Sequence, residues 1–296
     1  MHYTGLTYRP PYEAYSVLLQ VTAGCSHNAC TFCTMYKGTR FAVSPLDEVE
    51  EDLAEMALLR PDADRVFLVN GDAMCLPTGR LLRIADLIHA YLPKVSLITG
   101  YARIPNIAAK TDEELRSLAQ AGFGELNIGL ESALDDVLAF MNKGFTVEDA
   151  RRQFARLNEA GLTFSVNIMD AVAGPDRIIE HAKANAALVN EAQPCLIFIS
   201  PLHVDPGSEL ERIVNAGGFE ECTLGQYIQE EIAFLEDLEL RDCVFFGMHV
   251  SNPVPVQGWL PRDKQALVNA LCNGMERLPR SILDSHPSKG AEGSLR

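Results

Sequence analysis

The chain has 296 residues, 47% of them hydrophobic and 22% charged, with a formal net charge of −15. That length suits one α/β barrel-sized domain, and that composition excludes wholesale disorder. So negative a chain argues against a broad grip on nucleic acid, because neutralising phosphates needs clustered Lys and Arg; a small molecule or a peptide fits better as a partner.

The first eleven residues lack the cationic start and apolar run of a signal peptide. No stretch approaches the roughly 20 uninterrupted apolar residues of a membrane span, so the expected location is the cytoplasm. From residue 16 to 200, short apolar runs alternate with longer amphipathic segments, the sequence form of successive βα units. Strands are expected over residues 16–21, 65–70, 94–99, 125–128, 163–168 and 195–199.

Between them, Leu53, Met56, Leu58 and Leu59, or Leu81, Ile84, Leu87 and Ile88, recur at helical spacing. Thr111 with Glu114 and Thr146 with Asp149 match the capping-box signature, and Ser44 precedes Pro45 at a plausible first helical position. Six such units predict an open parallel (β/α)6 partial TIM barrel, with an open doubly wound sheet as the competing arrangement. After Pro201 the pattern becomes irregular. A helix over 224–238, a strand-like run over 243–250 and a helix over 263–277 read as a C-terminal α/β extension. The expected division is a core over 1–203, an extension over 204–283 covering the barrel mouth, and a frayed tail over 284–296.

Of eight cysteines, Cys25, Cys30 and Cys33 crowd into nine positions where the first strand ends, while Cys75, Cys195, Cys222, Cys243 and Cys272 are scattered. Three soft thiolates on one loop select an iron–sulfur cluster, zinc or Cu(I), and leave one coordination position without a protein donor. A zinc site completed by His27 uses the same residues. The loop's place at the carboxyl end of a barrel strand favours catalysis, since barrel active sites are built there.

At these residues the sequence resembles the radical S-adenosylmethionine (radical SAM) superfamily, whose signature is three cysteines after the first barrel strand with an aromatic before the last, here Phe32. Four residues separate the first two cysteines where three are usual, giving a variant CX4CX2C loop. Asn70-Gly71-Asp72-Ala73 stands where the family places the turn that receives the amino group of SAM. Gly129-Leu130-Glu131-Ser132 and Met141-Asn142-Lys143-Gly144 are similar to the elongator-type and oxygen-independent coproporphyrinogen oxidase branch.

The resemblance implies an oxygen-sensitive 4Fe–4S cluster on Cys25, Cys30 and Cys33. It implies SAM contacts from Phe32, Gly71, Asp72, Glu131, Lys143, Asn167, Ile168 and Ser200, with Leu202 nearby, and reductive cleavage of SAM to a 5′-deoxyadenosyl radical that abstracts hydrogen from substrate. An external electron donor such as flavodoxin or ferredoxin is expected. Tyr101, after the third strand, and His249, in the polar run 247–252, are the candidate substrate-facing residues; Tyr36, Lys37 and Arg40 follow the cluster loop and could meet an anionic group. The expected substrate is a small molecule. An RNA-modifying radical SAM enzyme and a non-catalytic zinc or iron–sulfur module are the alternatives.

Overall fold

The computed structural model describes residues 1–287. Its main sheet holds β1 (Val17–Gln20), β2 (Arg65–Val69), β3 (Leu97–Ala102), β4 (Leu126–Glu131), β5 (Phe164–Asp170), β6 (Leu196–Pro201), β7 (Cys243–Gly247) and β8 (Val256–Leu260). Spatial order follows chain order throughout. Neighbours from β1 to β7 are parallel, and β8 returns antiparallel along β7. A doubly wound sheet reverses its strand order at a switch point; this one never does, which makes it the partial barrel. A seventh parallel strand extends the expected six.

Strand alternation divides the side chains between two faces. Leu68, Ile98, Ile128, Val166, Ile168 and Ile199 point outward and join one hydrophobic core with the helices. Thr99, Asn127, Ser165 and Phe198 point into the lumen. There Asn127 Nδ2 donates to Thr99 Oγ1 (3.3 Å), and Ser165 Oγ donates to Asn127 Oδ1 (3.2 Å). Tyr12 closes the lower end of this lumen. Its ring lies edge-on to Phe246 and Phe198, at 5.4 and 6.2 Å, and its hydroxyl donates to Asn127.

Both predicted capping boxes form, at Thr111–Glu114 and Thr146–Asp149. Pro45 occupies the cap position itself, so that helix begins one residue later, at Leu46. The third strand starts three residues after its expected position. Residues 94–96 turn instead, with Val95 N donating to Leu92 O and Ser96 N to Asp64 O. Gly100 lies inside the strand, where a Cβ would stand 3.0 Å from the Leu68 carbonyl, so glycine suits the position.

Helices Leu224–Asp237 and Lys264–Arg277 place Phe234, Leu235, Leu267 and Leu271 in the same core as the barrel helices. Ser285 O accepts from Leu224 N (2.8 Å), which holds the start of the expected tail; residues 288–296 lie outside the described residues. Among the described residues no helix is long and apolar enough to cross a membrane.

A buried polar cluster ties the helices to the carboxyl ends of β4 and β5. His181 Nδ1 pairs with Glu230 and its Nε2 with Ser132 Oγ (2.9 Å), Ala171 N donates to Glu230 Oε2 (3.0 Å), and Ala133 N donates to Asn185 Oδ1 (2.6 Å). Burial raises the nearby Asp170 carboxyl far above its usual range, with Glu230 and Glu231 adding to the shift. Burial alone lifts Glu231 to about 8. A carboxyl whose folded pKa lies above its unfolded one stabilises the fold below the unfolded value, and that stabilisation is lost as pH rises through the folded value. The unfolding free energy of the wild type in urea should therefore fall between pH 5 and 8, by at most about 1.4 kcal/mol per pH unit for this one group, and Glu231→Gln should flatten that slope; parallel slopes for the two proteins would contradict the assignment.

Candidate active site

The cluster loop leaves β1 through a short ribbon, Thr22–Ala23 against Ala42–Val43, and is anchored on two sides. On one, Gly71 N donates to Gly24 O (3.0 Å), joining the loop's start to the turn after β2. On the other, the loop docks on the turn 140–143 beyond β4. Thr31 N donates to Met141 O (3.1 Å), Thr31 Oγ1 to Phe140 O (2.8 Å), and Asn142 Nδ2 to Ala29 O (2.8 Å). Cys25, Cys30 and Cys33 are each half-buried and free. Burial raises the Cys30 thiol and lifts Cys33 to about 11, and each thiol also feels Cys25.

Three free thiols on one loop are a soft donor set of the kind that holds an iron–sulfur cluster. His27 Nε2 faces the turn 140–143, donating to Asn142 O (2.7 Å), and burial lowers its pKa.

Beside the loop, Lys143 Nζ lies 3.0 Å from Glu131 Oε1, with both side chains largely buried. Burial disfavours the ammonium, but Glu131 and then Cys30 outweigh it and the Lys143 pKa rises. Glu131 reaches this position through a register shift in β4 and a left-handed φ of 67°. Gly129 makes room for the pair, since a Cβ there would stand 2.6 Å from Glu131 Oε1 and 3.2 Å from Lys143 Nζ. The Lys143 ammonium also sits 5.9 Å from the Phe32 ring centroid, within cation–π range. Arg103, which sequence reasoning did not single out, ends β3 by donating to the Lys143 carbonyl (2.6 Å).

At the turn after β2, a Cβ on Gly71 would meet the Tyr36 ring at 2.6 Å and Cys25 Cβ at 2.8 Å, so only glycine fits. Asn70, at φ 75°, donates through Nδ2 to Thr22 O (2.8 Å). Asp72 is buried, accepts from Ser26 and from Asn106, and has its pKa raised by that burial. Asn106 is a second contributor that no sequence motif marked. Tyr36 turns inward and is 4% exposed, while Lys37 and Arg40 remain at the surface.

Asn167 and Ser200 occupy lumen-facing positions of β5 and β6, and Asn167 Oδ1 is buried without a partner among the described residues. Ile168 faces the helices within the hydrophobic core, leaving only its backbone toward the site, and Leu202 packs in a second, smaller core. Tyr101 lies edge-on to Phe67 in the lumen (5.3 Å). His249, past the end of β7, lies edge-on to Phe198 (5.9 Å) and bonds Ser251 through Nδ1. Burial lowers the His249 pKa, with a further contribution from His203. His203, also missed from the sequence, is half-buried past β6 and has its own pKa lowered by burial. The cysteines, Phe32, Gly71, Asp72, Glu131 and Lys143 thus gather at the carboxyl ends of β1, β2 and β4; Tyr101 rises from β3 between them, and Asn167, Ser200 and His249 belong to β5, β6 and the segment after β7.

Three comparisons bear on this arrangement. The family model "Radical SAM superfamily" matches residues 19–184, more than half of the chain. The heme chaperone HemW of Bacillus subtilis is 25% identical over 76% of this chain and 59% of its own length. The threonylcarbamoyladenosine tRNA methylthiotransferase MtaB of Thermotoga maritima is 24% identical over 66% of this chain and 45% of its own. The chain thus spans about half the length of these relatives. Among solved structures, methylornithine synthase (PylB) superposes with a TM-score of 0.57 at 13% identity, covering 86% of this chain and 68% of that one. Coproporphyrinogen III oxidase (HemN) from Escherichia coli superposes with a TM-score of 0.53 at 17% identity, covering 75% and 52%. With the three-cysteine loop at the head of a parallel partial barrel, the chain belongs to the radical SAM superfamily, enzymes whose cofactors are a 4Fe–4S cluster and S-adenosylmethionine.

Proposed function

We propose that this enzyme binds SAM between the cluster loop and the Glu131–Lys143 pair and directs the resulting radical at a small polar molecule in the upper lumen. The observation that carries this reading is the buried ion pair beside three free thiols. When bound and reduced by an external donor such as flavodoxin or ferredoxin, the cluster supplies the electron that splits the SAM sulfonium into methionine and a 5′-deoxyadenosyl radical.

The protein's own part is recognition and exclusion of water. Lys143 offers a cation to the methionine carboxylate, and Glu131 an acceptor to its ammonium, so a zwitterion replaces the pair's internal contact with two charge-assisted ones. Asn167 offers an unsatisfied acceptor for the adenine amino group. Tyr12 packs against Phe198 and Phe246 at the lower end of the lumen, so substrate is expected to enter from the mouth. There Tyr101 offers a protonated phenol, its pKa raised by burial, and His249 a neutral imidazole for binding or proton transfer.

An RNA substrate is the alternative, and it meets a formal charge of −15 that repels phosphates. A non-catalytic metal module would need neither the ion pair nor the orphaned lumen acceptor.

Anaerobic reconstitution with iron and sulfide, followed by reduction with SAM, should yield 5′-deoxyadenosine from the wild type and none from Cys30→Ala; zinc retention without the nucleoside would sink the proposal. Lys143→Met removes a charge-assisted bond worth about 1.5–3 kcal/mol and should weaken SAM binding by roughly 10- to 100-fold in equilibrium dialysis. Gly71→Ala forces the Tyr36 ring and Cys25 apart and should lower the iron bound per chain while far-UV circular dichroism stays unchanged. Wild-type iron content in that variant would show the contact to be irrelevant to cluster assembly.

A further inference from the structure

The loop's extra residue has a visible structural role. Asn28, the third of the four residues between Cys25 and Cys30, adopts a left-handed φ of 41°, a conformation that asparagine tolerates better than most residues. From there its Nδ2 donates to the carbonyl of Tyr36 (2.9 Å), and Lys37 Nζ returns a bond to Asn28 O (3.1 Å). The lengthened loop thereby fixes the backbone at Tyr36, eight residues downstream.

Tyr36 in turn roofs the Gly71 turn, its Cε2 and Cδ2 lying 2.6 and 3.1 Å from where a Cβ would project. Tyr8 braces the ring edge-on from outside (5.4 Å). The hydroxyl at the ring's end is buried and has no partner among the described residues. A phenol keeps its proton at neutral pH, so this buried hydroxyl is a donor whose missing acceptor a bound ligand can supply.

We propose that Tyr36 is a further SAM-binding residue, its hydroxyl donating to the anionic methionine end of SAM, and that Asn28 of the CX4C loop positions it for that contact. The inference rests on the function proposed above. A sulfur of Cys25 or Cys33 is the weaker candidate acceptor, since neither accepts from the hydroxyl within 4.0 Å.

The test compares wild type, Tyr36→Phe and Asn28→Ala after anaerobic cluster loading, with iron and sulfide content measured on each. Tyr36→Phe keeps the ring over Gly71, so it should load a normal cluster, bind SAM about tenfold more weakly, and show a smaller SAM-induced change in the electron paramagnetic resonance of the reduced cluster. Asn28→Ala should move both readouts in the same direction by less. A fully loaded Tyr36→Phe with wild-type SAM affinity overturns the proposal. So does a shift in its cluster potential before SAM is added with affinity unchanged, which would place the acceptor on the cluster instead. If Tyr36→Phe does not load, 3,5-difluorotyrosine at position 36 strengthens the donor without removing it, and SAM affinity no tighter than wild type then overturns the proposal. Wild-type protein that loads a cluster yet neither binds SAM nor forms 5′-deoxyadenosine refutes the proposed function itself.

Discussion

The three-cysteine loop takes its shape from a backbone contact that no side chain could share. Gly71 N meets Gly24 O at 3.0 Å, with the Tyr36 ring and Cys25 Cβ packed where a Gly71 side chain would be. The second anchor, from Thr31 and Asn142 to the turn 140–143, joins the same loop to the segment carrying Lys143. The three cysteines and the Glu131–Lys143 ion pair are therefore parts of one clamped unit. A shift at either anchor moves both.

That unit holds strain at Glu131, a non-glycine residue at φ 67°, a conformation costing on the order of 1–2 kcal/mol. The cost is met from the far side of the sheet. Ser132 bonds His181, Ala133 N bonds Asn185, and Ala171 N bonds Glu230, so the residues following Glu131 are pinned by a polar cluster with almost no solvent exposure. A loop satisfied only by water would relax out of the left-handed region. Anchored inside the helix layer, it presents its carboxylate to Lys143.

What was legible in the sequence follows from which forces are local. The six strands and the two capping boxes declare themselves through period and cap chemistry within a few residues. The cysteine loop declares itself through ligand spacing. The third strand begins three residues later than expected, since its apolar run does not show where the turn before Leu97 ends. The edge strand Val256–Leu260 was hidden by Pro253, Pro255 and Gly258, punctuation that an antiparallel edge tolerates. Arg103, Asn106 and His203 carried no signal, because their partners lie tens of residues away in the chain and only the fold brings them together.

The orphaned polar atoms separate a site built for ligands from one that merely resembles its family. Buried groups in folded proteins are nearly always paired, and each exception costs about 1–3 kcal/mol. Thr78 Oγ1, Arg80 Nε and Glu231 Oε1, on helices, are such exceptions among the described residues, and so are four more, Thr22 Oγ1, Tyr36 Oη, Asn70 Oδ1 and Asn167 Oδ1. These last four belong to the strand ends or lumen face around the cluster loop, and they include donors and acceptors alike. Selection for stability alone would replace them with apolar residues of similar size, since neighbouring Val69 and Ile168 show that the sheet accepts such side chains fully buried. The grouping of these four fits the proposal that bound cofactors complete their hydrogen bonds.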